Sequence, residues 1–462
     1  MKVLDIDKPE SFHVHFIGIG GISMSGLAEI LIHKGYTVSG SDIKDSHIIR
    51  KLENKGARIS IGHHPSNIQG AHLVVYTAAV KEDNPEIQEA KSKNIPLMDR
   101  ATMLGQIMET YPFSIGIAGS HGKTTATSML SVIMTHAKLD PTVLVGGEVD
   151  AIGGNVRTGN SPYFITEACE YVESFLHFRP YIAVILNIDR DHLDYYKDID
   201  HIYQAFCKFA GLVPEHGYVI GCSDDPLVAK LMEEVKCNTI SYSIENEGYW
   251  KAYDIQYSQP GLTAFRVSSG GRDLGQITLR VPGKHNVYNA LAALAAAHAV
   301  GTPFDICREA LESFRGAHRR LEFKGNAEGV TIIDDYAHHP TEIRATLEAV
   351  KNYPNSKLWC VFQPHTYTRT KKLFDDFVFA FTGADQVIIT DIYAAREKDM
   401  GEVHSRDLAK AISRTGQACM YLETFEQVVD YLRKNTGPGD IVITMGAGDI
   451  YKVGDMLVDM SG

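Results

Sequence analysis

Along this chain, short apolar runs end abruptly at glycines or polar clusters and give way to helical stretches. The first run covers residues 13–18, followed by a glycine-rich turn, a helix to about Lys34, and a second run over 37–41 that stops at Asp42. Further runs lie at 72–76, 113–118, 163–166 and 182–186. The same pattern returns at 330–333, 358–362, 386–390 and 440–445, and Pro340 is well placed in the first turn of a helix over 341–351. An alanine-rich helix is expected from about Pro282 to His298. Continuous apolar runs alternating with helices predict strands buried on both faces, so the fold class is α/β with parallel sheets. Three domains are expected, at 1–106, 107–315 and 316–462, because a chain of 462 residues is too long for a single core.

Two glycine turns carry the first chemistry. Residues 116–127 read Gly-Ile-Ala-Gly-Ser-His-Gly-Lys-Thr-Thr-Ala-Thr, between an apolar strand and a helix. Glycines let backbone N–H groups approach phosphate oxygens, the helix N-terminus adds positive potential, Lys123 reaches terminal phosphates and Thr124 can ligate magnesium. Gly119, Ser120, His121, Gly122, Lys123, Thr124 and Thr125 are therefore candidates for binding a nucleoside triphosphate. The loop departs from the usual pattern in having Ile117 where an earlier glycine would stand. The second turn, Gly18-Ile-Gly20-Gly21-Ile22-Ser23-Met-Ser25-Gly26, opens a Rossmann-type unit that would set a diphosphate on a helix N-terminus, with Asp42 closing the next strand. Ser23 occupies the place of the third glycine. This turn suits a dinucleotide cofactor or a nucleoside diphosphate attached to another group, and by itself does not choose between them.

Composition narrows the class. Hydrophobic residues make up 44% and charged residues 22%, as in an ordinary globular protein. A net charge of −12 argues against nucleic-acid or anionic-membrane partners, which need a spread basic surface. The seven cysteines are scattered and include no Cys-x-x-Cys pair, which is intracellular usage with neither a disulfide frame nor a structural zinc site. The polar stretch Met1 to Glu10 lacks an apolar signal core and no run is long enough to span a bilayer, so a soluble, cytoplasmic protein is expected.

Other polar groups gather just past strand ends, the ligand edge of an open parallel sheet. Glu167 follows the run 163–166, and His192 lies in Asn-Ile-Asp-Arg-Asp-His after 182–186. Both could join Thr124 around magnesium or manganese, since hard oxygens plus one imidazole suit those ions. Asn286 and Asn289, three apart at the start of the alanine-rich helix, share a face and can hydrogen-bond a base or a loop. Asp335, Tyr336, His338, Arg369 and the Gly446-Ala-Gly448-Asp449 turn gather at the corresponding edge of the last domain.

Taken in order, Gly-Ser-His-Gly-Lys-Thr-Thr, Glu-Ala-Cys-Glu, Asn-Ile-Asp-Arg-Asp-His, Gly-Lys-His-Asn-Val-Tyr-Asn-Ala, His-Arg-Arg-Leu-Glu and Asp-Asp-Tyr-Ala-His-His-Pro resemble the Mur ligases, which build the peptidoglycan stem peptide. The resemblance spans nearly the whole chain, and the opening glycine turn is similar to that of the branch that adds the first amino acid. It implies a Rossmann-like UDP-substrate domain (1–106), a central P-loop ATPase-type domain (107–315) and a C-terminal Rossmann-like domain binding amino acid and ATP (316–462). The implied activity is ATP-dependent joining of L-alanine to the lactyl carboxylate of UDP-N-acetylmuramate through an acyl phosphate. By resemblance, Gly18, Gly20, Gly21, Ile22, Ser23, Gly26 and Asp42 bind the UDP substrate. Lys123, Glu167, His192 and His338 are catalytic, with Thr124, Glu167 and His192 holding the metal. Asn286, Asn289, Arg320 and Asp335 join the phosphate loop in binding ATP, and Tyr336, His338 and Arg369 hold the amino acid. A monomer or weak homodimer is expected.

Two positions depart from relatives. Thr366 stands where many carry arginine, leaving Arg369 to meet the amino-acid carboxylate. The position that carries a carbamylated lysine in sister ligases is Phe206, and Lys208 points off that helical face, so no carbamate is expected. The rival readings are a ligase recycling a preformed tripeptide and a catalytically silent regulator of wall synthesis.

Overall fold

The computed structural model describes residue 4 and residues 9–77, 79–259, 261–351 and 353–459, so most of the N-terminal stretch before Pro9 lies outside the described residues. It is α/β, and its contacts divide it into two compact units: Met1–Ile188, Tyr203–Tyr242 and Ala292–Ala310 form one, and Asp189–Ile202, Ser243–Leu291 and Leu311–Gly462 the other.

The first unit opens with a five-stranded parallel sheet. Its elements are β1 (His13–Ile17), α1 (Ile22–His33), β2 (Thr37–Asp42), α2 (His47–Asn54), β3 (Arg58–Ile61), β4 (Leu73–Tyr76), α3 (Pro85–Ser92), β5 (Leu97–Asp99) and α4 (Arg100–Met108). The strand order is β3-β2-β1-β4-β5, so the connection reverses direction between β1 and β4. Central β1 is buried along its length while edge β3 is half exposed, as helices on both faces demand.

The unit continues through β6 (Phe113–Ala118), α5 (Lys123–His136), β7 (Thr142–Val149), β8 (Gly154–Arg157), β9 (Tyr163–Glu167), β10 (Ile182–Ile185), α6 (Ile199–Ala210), β11 (Tyr218–Cys222), α7 (Pro226–Glu234) and β12 (Asn238–Ser243). Strands β12-β11-β10-β6-β9-β7 run parallel and β8 returns antiparallel. Helix α1 packs on β7 and β8, where a Cβ on Gly26 would lie 2.4 Å from Leu144 Cδ1. Gly26 thus serves close helix–strand packing, the third role of a glycine fingerprint.

The second unit holds an antiparallel meander, β13 (Trp250–Gln259), β14 (Leu262–Ser269) and β15 (Arg272–Leu279); α8 (Lys284–Ala299) and α9 (Phe304–Ser313) follow it in the chain, with their residues from Ala292 to Ala310 counted in the first unit. Its six-stranded sheet has the order β16-β17-β21-β18-β19-β20, parallel except for β16 against β17. The strands are β16 (Glu322–Ala327), β17 (Val330–Asp335), β18 (Leu358–Phe362), β19 (Gln386–Ile389), β20 (Cys419–Tyr421) and β21 (Ile441–Met445). Helices α10 (Pro340–Lys351), α11 (Tyr367–Lys372), α12 (Phe374–Val378), α13 (Ser405–Arg414), α14 (Phe425–Asn435) and α15 (Tyr451–Asp459) connect them. Pro340 begins α10, as its missing N–H and fixed φ favour. Ile343, Leu347, Phe362, Phe377, Phe381 and Ile443 form one apolar layer over this sheet, and Trp359, Val361, Val429, Leu432 and Val453 form the other.

Helix starts divide by chemistry. Ser46, Asn84, Asp99 and Asp225 cap α2, α3, α4 and α7 with side-chain oxygens. Helices α1 and α5 instead start behind Gly21 and Gly122 with no side-chain cap. Their first-turn N–H groups remain available to an anionic ligand.

Candidate active site

In the first unit the phosphate loop connects β6 to α5. Gly119 and Gly122 take φ of 148° and 85°, and a Cβ on Gly119 would sit 2.9 Å from Leu186 Cβ and 3.3 Å from the Asn187 nitrogen. Ile117 is a buried strand residue, so the tight part of the loop begins at Gly119. Asn187 fastens the loop from β10. Its Oδ1 accepts the His121 N–H at 2.9 Å, its Nδ2 donates to the His121 carbonyl at 3.1 Å, and its own carbonyl accepts the Ser120 N–H.

Lys123 heads α5 and donates to the Gly119 and Ser120 carbonyls at 2.5 and 3.2 Å, and to both oxygens of Glu170 at 2.8 and 3.1 Å. Glu170 is 2% exposed, so this is a buried ion pair at the head of the loop. In Glu-Ala-Cys-Glu the sequence points to Glu167 and gives Glu170 no role. The signal was there, a second acid three residues on, but strand position alone favoured the first. Glu167 ends β9, where its Oε1 accepts the Gly146 N–H at 2.7 Å. A Cβ on Gly146 would lie 3.1 Å from Glu167 Oε2, and one on Gly147 would lie 3.6 Å from the Thr124 methyl. Two glycines on β7 thus keep the space beside Thr124 and Glu167 clear, and hydroxyl plus carboxylates are the hard oxygen donors that magnesium prefers.

Still in this unit, the first glycine turn is built on Ser41, whose carbonyl accepts the N–H groups of Gly18 and Ile19 at 2.8 and 3.1 Å. Gly18 has φ 80°, and a Cβ there would press on Thr77. Asp42 accepts the Gly20 N–H on Oδ2 at 2.9 Å and the Ile43 N–H on Oδ1, so it braces the turn from the end of β2. Gly21 precedes α1 and Ile22 and Ser23 form its first turn.

The second unit gathers histidines and an arginine around Asp191. Arg369 Nη2 donates to Asp191 Oδ1 at 2.9 Å and Nη1 reaches His365 Nδ1 at 3.1 Å, while the buried Nε has no hydrogen-bond partner among the described residues. Burial would raise the Asp191 carboxyl, but Arg369 and the histidines 192, 338 and 339 outweigh it and hold the group far below the usual carboxylate range. His192 sits at φ 51° with its N–H on Asp191 Oδ1 at 2.6 Å. Positive φ is uncommon for a side-chain-bearing residue, and this turn fixes where the imidazole begins. His339 Nε2 pairs with the Arg190 carbonyl at 3.0 Å and Thr341 donates to Asp189 at 2.8 Å.

His338 approaches the Tyr336 carbonyl through Nδ1 at 2.9 Å and packs edge-on against Tyr336 and His365. Burial, reinforced by Arg369, pushes it down to about 3, and the same causes push His365 down to about 4, so both rings are neutral near pH 7. Arg320 lies over the Tyr336 ring at 5.1 Å. Asp335 is raised to about 6 by burial, and its oxygens accept the Leu321 and Ala337 N–H groups at 2.7 Å each. Asn286 donates to the Pro282 carbonyl and Asn289 donates to Asn286 Oδ1, a local chain at the start of α8. Thr366 caps α11 by accepting the Arg369 N–H, at φ 64°. Phe206 is fully buried against Phe175, and Lys208 points to solvent and pairs with Glu173. Asp191, His365 and Glu170 are the contacts of candidate residues to which sequence reasoning gives no role. Asp191 stands inside Asn-Ile-Asp-Arg-Asp-His, but nothing in the sequence tells that it meets Arg369, 178 positions on; His365 lies only four positions before Arg369.

Known proteins match this chain over nearly its whole length. Models of the Mur ligase family catalytic domain, the Mur ligase middle domain and the Mur ligase glutamate ligase domain cover residues 13–112, 117–297 and 319–448 in turn. The UDP-N-acetylmuramate–L-alanine ligase of Acetivibrio thermocellus is 57% identical, with 99% of this chain and 98% of that protein aligned. The crystal structure of UDP-N-acetylmuramate–alanine ligase from Thermotoga maritima superposes with a TM-score of 0.80 at 29% identity, over 97% of this chain and 98% of that one. A murein peptide ligase from Psychrobacter arcticus superposes at 0.70 and 25% identity, over 98% and 99%. With that agreement and the phosphate loop in its place, the chain belongs to the Mur ligase family.

Proposed function

We propose that the protein joins L-alanine to the lactyl carboxylate of UDP-N-acetylmuramate, using ATP, in peptidoglycan synthesis. The observation that carries this reading is the 57% identity to an L-alanine-adding ligase across 99% of the chain. A carboxylate oxygen of the lactyl group attacks the γ-phosphorus and ADP leaves. The alanine amine then attacks the acyl phosphate carbon, and the tetrahedral intermediate expels phosphate while the nitrogen loses its proton. Neither step needs a protein nucleophile, so alignment and charge neutralisation do the work.

The division of labour follows the expected segments 1–106, 107–315 and 316–462. The uncapped start of α1 with Gly18, Gly20 and Gly21 suits the UDP diphosphate, and that of α5 suits the ATP phosphates. Lys123 supplies a fixed positive charge to the transferring phosphoryl group. Thr124, Glu167 and His192 are the groups proposed to hold magnesium or manganese. Such an ion would neutralise phosphate oxygens as their charge develops. Arg369 has a buried Nε–H unpaired among the described residues, which suits the alanine carboxylate, and the neutral His338 and His365 add no positive charge against the incoming ammonium. Asn286, Asn289, Arg320 and Asp335 are assigned to the rest of ATP.

The test is ADP release with ATP, magnesium and UDP-N-acetylmuramate, adding L-alanine, D-alanine, glycine or the tripeptide separately. Turnover that needs both the UDP sugar and L-alanine is expected. Turnover only with tripeptide would assign the recycling reaction, and none at all would revive the silent regulator.

A further inference from the structure

Just before β16 an arginine is fully engaged inside the protein, and the proposed reaction gives it no part. Arg319 donates from Nε to Asp334 Oδ2 at 3.0 Å, from Nη1 to the Gly448 carbonyl at 2.9 Å and from Nη2 to the Gly446 carbonyl at 2.6 Å. Its guanidinium carbon lies over two rings, 4.9 Å from the centre of Tyr336 and 4.7 Å from that of Tyr451. Asp334 is 1% exposed, and burial raises its carboxyl while Arg319 and the Thr444 hydroxyl oppose the rise. The planar fork thus matches one buried carboxylate at the end of β17 and two carbonyls just past β21, a geometry that the point charge of a lysine does not reproduce. Each of its three nitrogens already has a protein acceptor, so Arg319 holds the frame and not a ligand.

The backbone beside it is strained. Arg319 and Leu321 take φ of 58° and 48°, one on each side of Arg320. Positive φ is costly for a residue that carries a Cβ, and it persists where the surroundings fix it. The Arg319 N–H donates to Glu322 Oε2 at 2.8 Å, the Arg319 carbonyl accepts the Tyr336 N–H at 2.7 Å, and the Leu321 N–H donates to Asp335 Oδ2 at 2.7 Å. Between these fixed points Arg320 lays its guanidinium over the Tyr336 ring at 5.1 Å, the same ring that Arg319 covers. Resting on the assignment of Arg320 to ATP, we propose that Arg319 is a positioning residue. By tying the ends of β17 and β21 and the Tyr336 ring to residues 319–321, it aims Arg320 at the phosphates before they bind, so that little ordering is left to the moment of binding.

Arg319→Lys keeps a positive charge beside Asp334 and removes the fork, so the ion pair survives while the two carbonyl bonds are lost. Titrating ATP into the full-length protein should show binding weakened about tenfold or more in Arg319→Lys and in Arg320→Ala, with UDP binding in both within about twofold of wild type. The double variant separates aiming from general support of the fold. If Arg319 acts through Arg320, the double variant binds ATP within about twofold of Arg320→Ala, because nothing is left to aim. Losses that multiply, an Arg319→Lys protein whose ATP affinity stays within about twofold of wild type, or an Arg320→Ala protein that binds ATP as wild type does would each overturn the inference. A fall in UDP affinity equal to that in ATP affinity also overturns it, since a loosened fold weakens both. Should Arg319→Lys not fold, Tyr451→Leu removes one ring and leaves the ion pair, and the same cycle with Arg320→Ala decides. The readout is ATP binding alone, so absence of L-alanine-dependent turnover would overturn the ligase reading and leave this inference standing.

Discussion

Lys123 is held between two loop carbonyls and the buried carboxylate of Glu170, so its charge is already in place before any phosphate arrives. Lys123→Ala should abolish ATP-dependent turnover, checked by ADP release, while UDP binding by titration stays within about twofold, because the proposed UDP site rests on α1 and not on this loop. The buried histidines make a second residue-scale prediction. His285, His338 and His365 are pushed down to about 4, 3 and 4, chiefly by burial. In the unfolded chain they protonate near 6.5, so below that pH the unfolded state binds more protons. Their contribution is therefore present above about pH 6.5 and lost as pH falls toward their folded values, at up to roughly 1.4 kcal/mol per pH unit for each ring. Urea unfolding at pH 7, 6 and 5 should show this slope, and His365→Phe should flatten it.

Among elements, the glycine-led helices differ from the side-chain-capped ones in what their first turns leave open. Gly119→Ala places a Cβ 2.9 Å from Leu186 at a backbone angle that favours glycine. Its melting temperature should fall and its KM for ATP should rise by about tenfold or more, with UDP affinity retained. Helix α6 decides the lysine question: Phe206 fills the core face and Lys208 makes only an exposed ion pair with Glu173. Intact mass should show no carbamate, and Lys208→Ala should leave turnover within about twofold, since such pairs contribute ~1 kcal/mol or less. Expected and observed strands coincide at β6 and β18 and differ by only a residue or two at β1, β4, β10 and β19, where polar or glycine neighbours blur the end of an apolar run.

For the whole molecule, the seven cysteines are all free thiols, four of them half-buried. Thiol titration of the denatured protein should find seven, and a reductant should not move the melting temperature. No helix among the described residues is long and apolar enough to cross a membrane. The sequence by itself determined the α/β class, ten of the strands, the two glycine turns and the family, because each is written in neighbours a few residues apart: an apolar run, a glycine at a required φ, a lysine on the next helix; the meander β13–β15 and the other strands carry no such continuous apolar run. Only the tertiary structure decided that Lys123 pairs with Glu170, that Asp191 and His365 meet Arg369, that Gly26 serves packing and that Ser41 bonds both Glu86 and His63. Apart from His365, four positions before Arg369, those partners are separated by tens to nearly two hundred positions along the chain, and a buried charge takes its partner from whatever the packed strands bring beside it.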